Sequence, residues 1–492
     1  MICENLNDEG RLSLLFELPS KEKSHNELRF APGARDGCGI FHSSLKEPET
    51  VANQVFGFLK SGETERIKTA IEGFSVILFI DQLLSTIRSN AADIDRDMVA
   101  RFAQSLAFRS DDEEMVKLGI ALLGLIDLSD TPEVQEKLIT LGLFEELTLY
   151  VVVAACGWDN GNDAVFRIAQ KVSGWGKIHA VERLKPSTTE IKEWILNEGC
   201  SNDVMDSYLG LECAVKGDLI GALRRDAVTP ELFESISVII DALIDEGPVE
   251  GISVYGHAEE ALLRFLIMAD EHTTTLRQLW RLLNVKDYLE SFKSSKKDEM
   301  SALVTHIISK AMWRELIYST LSDSSASAFF FAANAAQRMG FDAEDLVFSA
   351  VKSDPIKNQG HLPSLYKNPE YAKELTALYE SILPLDKMAT GMGDHLFAED
   401  YWQEHSALDF VLQELGKYPN LGESLLKTAL GSPVVRERNF ACRVLHAWSE
   451  KLSQPVRMFS PELFHMLEGT MQQEVNPDTK KRMEELLEMQ FQ

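Results

Sequence analysis

The chain has 492 residues, of which 45% are hydrophobic and 26% charged, a balance typical of a soluble protein with a sizeable buried core. Its 77 acidic and 49 basic side chains give a formal net charge of -28, which disfavours binding to nucleic acid and to anionic membranes. No stretch reaches the roughly 18 apolar residues that a membrane-spanning helix needs, and the N-terminus lacks the pattern of a secretory signal, so we expect a cytoplasmic protein.

The first 50 residues differ from the rest of the chain. Leu12–Leu18 is a short apolar run that fits a helix or a strand. The segment Ala31–Gly39 is so rich in glycine and proline that a helix is not expected there. We predict that residues 1–50 form an irregular arm, with room for a hairpin, that lies on the first helices; disorder is the alternative.

From about Thr50 onward, one helix-start signal recurs. A side chain that can cap a helix is followed by proline and then by an acid. The cap accepts a backbone N–H, proline at the first helical position lacks only an N–H that would have had no partner within the helix, and the acid faces the positive end of the helix dipole. We predict helix starts at Thr131-Pro132-Glu133, Thr229-Pro230-Glu231, Ser460-Pro461-Glu462, Asn368-Pro369-Glu370 and Asn476-Pro477-Asp478.

Residues 163–217 show four apolar helical stripes in series, each followed by a helix-stop signal. The stops are Ser173-Gly174, Pro186, Gly199 and Gly217. No segment shows the alternation of apolar and polar residues that a strand would need. The sequence therefore predicts an all-α chain in which residues 51–492 form an α-solenoid of antiparallel helix pairs, with a candidate break near residues 350–400.

Two stretches are similar to the HEAT and armadillo class of helical repeats. Val116–Gly124 resembles the HEAT pattern of a valine, a basic residue and closely packed small residues. Ser432–Arg436 resembles its turn proline and the Val-Arg step that follows, although Asn439 and Phe440 stand where small residues are usual. The resemblance implies a curved stack of antiparallel helix pairs, with repeats of about 40 residues.

A second likeness covers Gly174–Leu184 and continues through Trp194 and Gly199-Cys200. This run is similar to a group of uncharacterised bacterial proteins, some of which are labelled limonene hydroxylase. The likeness implies a bacterial source, and the label implies oxygen chemistry. The sequence has neither the cysteine in a glycine-rich loop that a haem-thiolate enzyme needs nor the glycine-rich βαβ fingerprint of a flavin enzyme, so no cofactor is expected.

The densest mixture of functional side chains lies in the same run. His179 and Arg183 are four residues apart, and His179 and Glu182 are three apart, so each pair shares a face of a helix. With Lys177 and with Trp175 as an aromatic anchor, these residues are candidates for binding a partner. The alternative is an interhelix salt-bridge cluster with a packed tryptophan.

Two further groups of residues are candidates for a functional role. The first group, which could bind a metal ion, consists of His395, Glu399, Glu404 and His405. Its members His395 and Glu399 have helical i, i+4 spacing, but a metal site needs three or four converging ligands. The alternative is a solvated helix start. Phe329-Phe330-Phe331 cannot all face one core from a helix. At least one of these rings should point into a second interface or a groove, either as part of a buried central helix or in a hydrophobic binding groove.

The sequence favours a scaffold without catalytic activity that binds a protein or peptide on the concave face of the solenoid. Because the chain is acidic, we expect a basic or neutral partner segment, and neither nucleic acid nor a membrane. The alternative is an enzyme in a helical fold, either the labelled hydroxylase or a hydrolase with a pair of carboxylates that the sequence does not single out. The sequence leaves the oligomeric state open.

Overall fold

The computed structural model describes Gly33, Asp36, Gly37, Ile40 and residues 49–247, 249–395, 398 and 400–490. Across these residues the chain forms 28 α-helices and four short 3₁₀ turns. The described part contains no β-strand, and its one extended pairing is a single bridge between His395 and Val434. The prediction of an all-α chain is therefore confirmed for the described residues.

The chain divides into two compact units. Unit 1 comprises Met1–Thr274 and Arg281–Ile308, and unit 2 comprises Thr275–Trp280 and Ser309–Gln492. The helix Leu276–Ser291 contributes residues to both units. The first sixteen helices are α1 Glu49–Ser61, α2 Ile67–Ile71, α3 Ile80–Ser89, α4 Arg96–Arg109, α5 Glu113–Leu123, α6 Pro132–Leu141, α7 Glu145–Ala155, α8 Gly161–Ala169, α9 Gly174–Arg183, α10 Thr189–Glu198, α11 Ser207–Lys216, α12 Leu219–Leu223, α13 Pro230–Ile244, α14 Ala258–His272, α15 Leu276–Ser291 and α16 Lys297–Ile308.

In unit 1, each odd-numbered helix from α1 to α11 packs on the next odd-numbered helix, so that α1, α3, α5, α7, α9, α11 and α13 form one continuous row. The helices between them, such as α6, α8 and α10, pack against members of this row. The buried side chains form one hydrophobic cluster that runs from Val51 to Ile307. Burial of the apolar stripes against neighbouring helices therefore links unit 1 from end to end.

Unit 2 contains twelve helices among its described residues. They are α17 Met312–Leu321, α18 Phe329–Arg338, α19 Glu344–Ser353, α20 Leu362–Leu365, α21 Pro369–Ile382, α22 Leu385–Met388, α23 Trp402–Leu415, α24 Glu423–Leu430, α25 Val435–Leu452, α26 Val456–Phe459, α27 Pro461–Gln473 and α28 Pro477–Glu488. Helix α25 packs on α23, α24 and α28, while α17 packs on α18, and α19 packs on α21.

The five predicted helix starts are confirmed. Helices α6, α13, α21, α27 and α28 each begin at the proline of the motif. In four of them the preceding side chain accepts a backbone N–H from the first turn. The exception is Thr131, whose hydroxyl bonds back to the carbonyl of Leu128 instead.

The four stripes of residues 163–217 correspond to four helices, α8 to α11. Gly217 ends α11, as predicted. Gly174 begins α9 with a φ of +55°, a backbone conformation that favours glycine. The stop signals between the stripes therefore mark real breaks in the helical backbone.

Among the described residues, no helix combines the length and the apolar character that crossing a membrane requires. Six residues of the predicted arm are described, and they are Gly33, Asp36, Gly37, Ile40, Glu49 and Thr50; the rest of residues 1–50 lie outside the described part of the chain. Asp36 and Gly37 are helical, so the expectation that no helix forms within Ala31–Gly39 is wrong at these two residues. The boundaries of an arm at 1–50 and of a superhelix at 51–492, with its break near 350–400, remain predictions.

Candidate binding groove

The structure places the predicted partner-binding residues on α9. Trp175 and His179 face the interior, with 2% and 3% of their surface exposed. Glu182 and Arg183 are half-buried and form an ion pair with a distance of 3.0 Å between Arg183 Nη1 and Glu182 Oε2. The nearby Nδ1 of His179 is 3.7 Å from the same carboxylate oxygen. Burial raises the pKa of Glu182, but its interactions with His179 and Arg183 outweigh that effect, so the pKa lies below its ordinary value.

Lys177 points away from that group and toward the next helix. Its Nζ donates a hydrogen bond of 2.8 Å to the carbonyl of Glu198 at the end of α10 and lies 5.7 Å from the ring centroid of Trp194. A cation at a helix C-terminus is favourable because it faces the negative end of the dipole. Desolvation lowers the pKa of Lys177. The structure thus brings His179, Glu182 and Arg183 together, and the ring centroid of Trp175 lies 6.4 Å from that of His179. Lys177 instead packs against α10.

Arg183 also lines a cavity of about 420 Å³ in unit 1. Side chains of α3, α5 and α7, including Leu84, Tyr150 and Val153, form the other walls. Ile40, from the N-terminal segment, lies at this cavity as well. One of the five residues selected from the sequence is therefore next to a cavity.

A larger groove lies in unit 2, where the three adjacent phenylalanines have three different environments. Phe329 is buried, with its ring edge-to-face against His361. Phe331 is half-buried and packs edge-to-face against Trp280, with the guanidinium of Arg277 5.1 Å from its ring centroid. Phe330 is 45% exposed and lines the groove.

The groove has a volume of about 530 Å³. One wall is α18, the second is the start of α19, and the third is the turn Gln359–His361 with α20. Small and apolar side chains from all three walls form its floor; they are Ala333, Ala336, Val347 and Leu365, all buried. The groove therefore offers apolar surface that an inserted side chain could cover.

The loop between α18 and α19 is held in place by its own contacts. Gly340 has a φ of +71°, and the N–H of Phe341 donates to the carbonyl of Ala336, a pattern that closes the C-terminal end of α18. The ring of Phe341 stacks on Tyr318 of α17, and the Tyr318 hydroxyl donates to the carbonyl of Asp342. These contacts fix the groove wall that carries Asp342 and Glu344.

His361 is the buried polar group of the groove. Its ring centroid lies 5.6 Å from that of Phe330 and 5.6 Å from that of Phe329. Burial lowers the pKa of His361 to about 4, so the ring is neutral at pH 7. A neutral imidazole has one donor and one acceptor nitrogen, and it can therefore form a hydrogen bond to a ligand in the groove without adding charge.

The rim of the groove is charged. Asp342 and Glu344 lie on one side and Lys367 on the other, and all three are exposed. Two carboxylates and one ammonium leave the rim with an acidic excess, which matches the sign of the whole chain. The sequence pattern indicates the phenylalanines but neither His361 nor this rim, because neither of these carries a local motif.

The other candidate group, around His395 and His405, separates in the structure. His395 pairs through its backbone with Pro433 and Val435, and Glu399 lies outside the described residues. His405 Nδ1 is instead 2.6 Å from Glu437 Oε1, and both side chains are buried. In the described part of the chain, no three His, Cys, Asp or Glu side chains are arranged to hold a metal ion.

Asp409 lies near this pair and forms an ion pair with Arg436. Burial raises the pKa of Asp409 to about 6. Carboxylates with a shifted pKa occur both in catalytic sites and in buried structural networks, so the raised pKa of Asp409 does not by itself indicate a catalytic site. The enzyme alternative remains a prediction from the sequence.

Comparisons of the chain with protein-family models, with curated proteins and with solved structures find no match.

Proposed function

We propose that the chain is a cytoplasmic helical-repeat scaffold that binds a protein or peptide segment, and that the groove of unit 2 is a binding site. The solenoid part of this proposal is supported by the row of odd-numbered helices in unit 1, in which each helix packs on the next but one. Repeat proteins stack in this way because each helix pair buries its apolar face only against its neighbours. The resemblance of Val116–Gly124 to HEAT repeats supports the same architecture.

The observation that carries the binding proposal is the exposure of Phe330 above an apolar floor. A single exposed aromatic residue is ordinary on a protein surface. Phe330 differs because it borders a groove of about 530 Å³ whose floor is formed by buried apolar side chains. Aromatic residues next to a concave apolar surface are typical anchors of interfaces.

The charge of the rim indicates the chemistry of the partner. Asp342 and Glu344 favour a basic or neutral segment, and the net charge of -28 acts in the same direction at longer range. The neutral ring of His361 fits a polar backbone or side-chain group beside the apolar anchor. We therefore expect a segment with one large apolar side chain flanked by lysine or arginine.

Selection from a random peptide library tests this proposal. Purified full-length chain is used to select peptides, and the affinity of each selected peptide is then measured for the wild type, Phe330→Ala and Phe74→Ala. Phe74 is a matched control because it is 41% exposed and lies in unit 1. We expect peptides with an apolar residue and basic flanks whose affinity falls at least tenfold for Phe330→Ala and is unchanged for Phe74→Ala.

A second comparison addresses charge. The double variant Asp342→Asn with Glu344→Gln should bind the selected peptides more weakly at low salt, and the difference should shrink as salt increases, because surface charges are screened. Peptides that bind the wild type and Phe330→Ala equally well would disprove the groove as the binding site.

A further inference from the structure

Part of the N-terminal segment is inserted into unit 1. Asp36 is only 6% exposed, although it is charged and far in sequence from the helices around it. Its Oδ2 lies 2.9 Å from Lys117 Nζ of α5 and accepts a hydrogen bond of 2.8 Å from the hydroxyl of Tyr150 of α7. Its Oδ1 accepts a hydrogen bond of 3.2 Å from Ser75. One carboxylate is thus bound by groups from three separate elements.

Other residues of unit 1 hold the donors to Asp36 in position. Lys117 is fully buried, and Glu113 and Glu114 of the same helix hold its ammonium at 3.1 and 2.9 Å. Glu114 also accepts hydrogen bonds from Ser75 and from the backbone of Val76. Burial disfavours the charged ammonium, but the charges of Asp36, Glu114 and Glu113 outweigh it and raise the pKa of Lys117. The ammonium that Asp36 contacts is therefore positioned by α5 itself.

The glycines on either side of Asp36 allow the segment to approach α7 and α9 closely. Gly33 has a φ of +83°, and a Cβ at this position would lie 2.9 Å from the carbonyl oxygen of Glu145. A Cβ at Gly37 would lie 2.3 Å from Cδ2 of Trp175, inside the distance of any ordinary contact. Trp175 is itself packed against Tyr208, with ring centroids 5.0 Å apart, so it has little room to move away.

From these contacts we infer that unit 1 has a docking site for a Gly-x-x-Asp-Gly segment, formed by Ser75, Lys117, Tyr150 and Trp175, and that Gly33, Asp36 and Gly37 of this chain occupy it as parts of an intramolecular ligand. The site recognises the carboxylate of Asp36 through the ammonium of Lys117 and the hydroxyls of Ser75 and Tyr150. It recognises the two glycines because it has no room for a Cβ at either position. The site lies in unit 1 and is independent of the groove proposed in unit 2. Trp175, which the sequence predicts to be an aromatic anchor for a partner, here lies next to Gly37 of its own chain.

If the segment is a ligand, the site should also bind it when it is supplied separately. A tethered segment has an effective concentration of about 1 mM or more, so the wild type should resist exchange with an added peptide. A chain whose own segment cannot dock should bind the same peptide. Gly37→Val creates such a chain because the added side chain would collide with Trp175, while the four site residues remain unchanged.

The experiment measures fluorescence anisotropy of a labelled peptide of residues 30–42, with Cys38→Ser to prevent thiol reactions. It is added to full-length wild type and to full-length Gly37→Val, and circular dichroism verifies that both are folded. We expect the variant to bind the peptide at least tenfold more tightly than the wild type does. A peptide that also carries Asp36→Asn should bind the variant at least tenfold more weakly.

A folded Gly37→Val chain that binds neither peptide, or binds both equally, would overturn the inference, because Gly33, Asp36 and Gly37 would then be ordinary core packing. If Gly37→Val does not fold, the Asp36→Asn chain is measured with the same peptides and judged by the same criteria. The affinity of the chain for the 30–42 peptide is also measured for Phe330→Ala. This substitution should leave that affinity unchanged, although it should weaken binding of the library peptides, so the two proposals are tested separately.

Discussion

Arg438 and Glu474 form an ion pair in which neither side chain is exposed to solvent. Two nitrogens of the guanidinium contact the two carboxylate oxygens, with Nε–Oε2 at 2.6 Å and Nη2–Oε1 at 2.7 Å. Two further N–H groups of Arg438 donate to the carbonyls of Ser432 and Gly393. Because each charge is fully paired, removal of one partner leaves the other buried and uncompensated.

We therefore expect Glu474→Ala to destabilise unit 2 by about 3–5 kcal/mol, as breaking a buried pair does. The matched control is Glu374→Ala, because Glu374 pairs with Lys352 at the surface of the same unit, where an ion pair contributes about 0–1 kcal/mol. Urea denaturation of both variants measures the difference. Equal effects of the two substitutions would contradict the assignment of a structural role to the buried pair.

The pKa of His361 gives unit 2 a predictable dependence on pH. The unfolded chain binds a proton at this histidine below about pH 6.5, whereas burial keeps the folded ring neutral down to about pH 4. Stability is therefore lost as the pH falls through this window. Between pH 7.5 and 4.5 the wild type should lose on the order of 2–3 kcal/mol more than His361→Gln.

Denaturation of both proteins at the two pH values tests this expectation. Nuclear magnetic resonance provides an independent measurement, because the C2 proton of His361 should show the neutral shift at pH 5.5. A resonance that titrates near pH 6.5 would refute the buried, neutral state of this ring.

Gly119 allows α4 and α5 to approach closely. A Cβ at this position would lie 2.5 Å from the backbone nitrogen of Ala107 and 2.8 Å from the carbonyl oxygen of Ala103. Gly119→Ala should destabilise unit 1 by about 1–3 kcal/mol or more, because backbone must move to admit the methyl group. Gly57→Ala in α1 should have the opposite sign and stabilise by about 0.5–1 kcal/mol, since nothing lies within 4 Å of its Cβ.

Thermal or chemical denaturation of the two glycine variants decides the sign of each effect. A stabilising Gly119→Ala substitution would mean that the two helices are not in close contact.

Two threonines in similar motifs should respond differently to truncation. Thr229 accepts a hydrogen bond of 3.2 Å from the N–H of Leu232 and caps α13, whereas Thr131 forms no such bond at α6. Thr229→Ala should cost about 1 kcal/mol, and Thr131→Ala clearly less. Denaturation curves recorded under identical conditions compare the two, and equal losses would argue against the capping bond.

The positions of helix starts and stops were predictable from the sequence. Capping hydroxyls, proline at the first helical position and glycine at helix ends act on backbone groups within about four residues, so the information is local. This explains why all five proline motifs begin helices and why the four stripes of residues 163–217 became α8 to α11. At Thr131, however, the same motif does not determine whether the hydroxyl caps the helix or bonds to another group, and it donates to the carbonyl of Leu128.

The phenylalanines show where local information ends. Helical geometry required that at least one of the three rings point away from the core. The packing of Phe329 against His361 and of Phe331 against Trp280 selected Phe330 as the exposed one. Neither His361 nor Trp280 is close to the phenylalanines in sequence, so the neighbouring residues alone do not determine which of the three rings is exposed.

The sequence by itself determined that the protein is acidic, that its described part is all-helical, and where many of its helices begin and end, because net charge and helical periodicity are properties of composition and of nearby residues. Only the tertiary structure decided which charges are buried. In sequence, Lys117 has the spacing of an ordinary surface pair with Glu113 and Glu114, yet it is fully buried and also bound to Asp36. Asp36 and Tyr150 are separated by 114 positions, and the free energy of bringing such groups together depends on the packing of the helices between them.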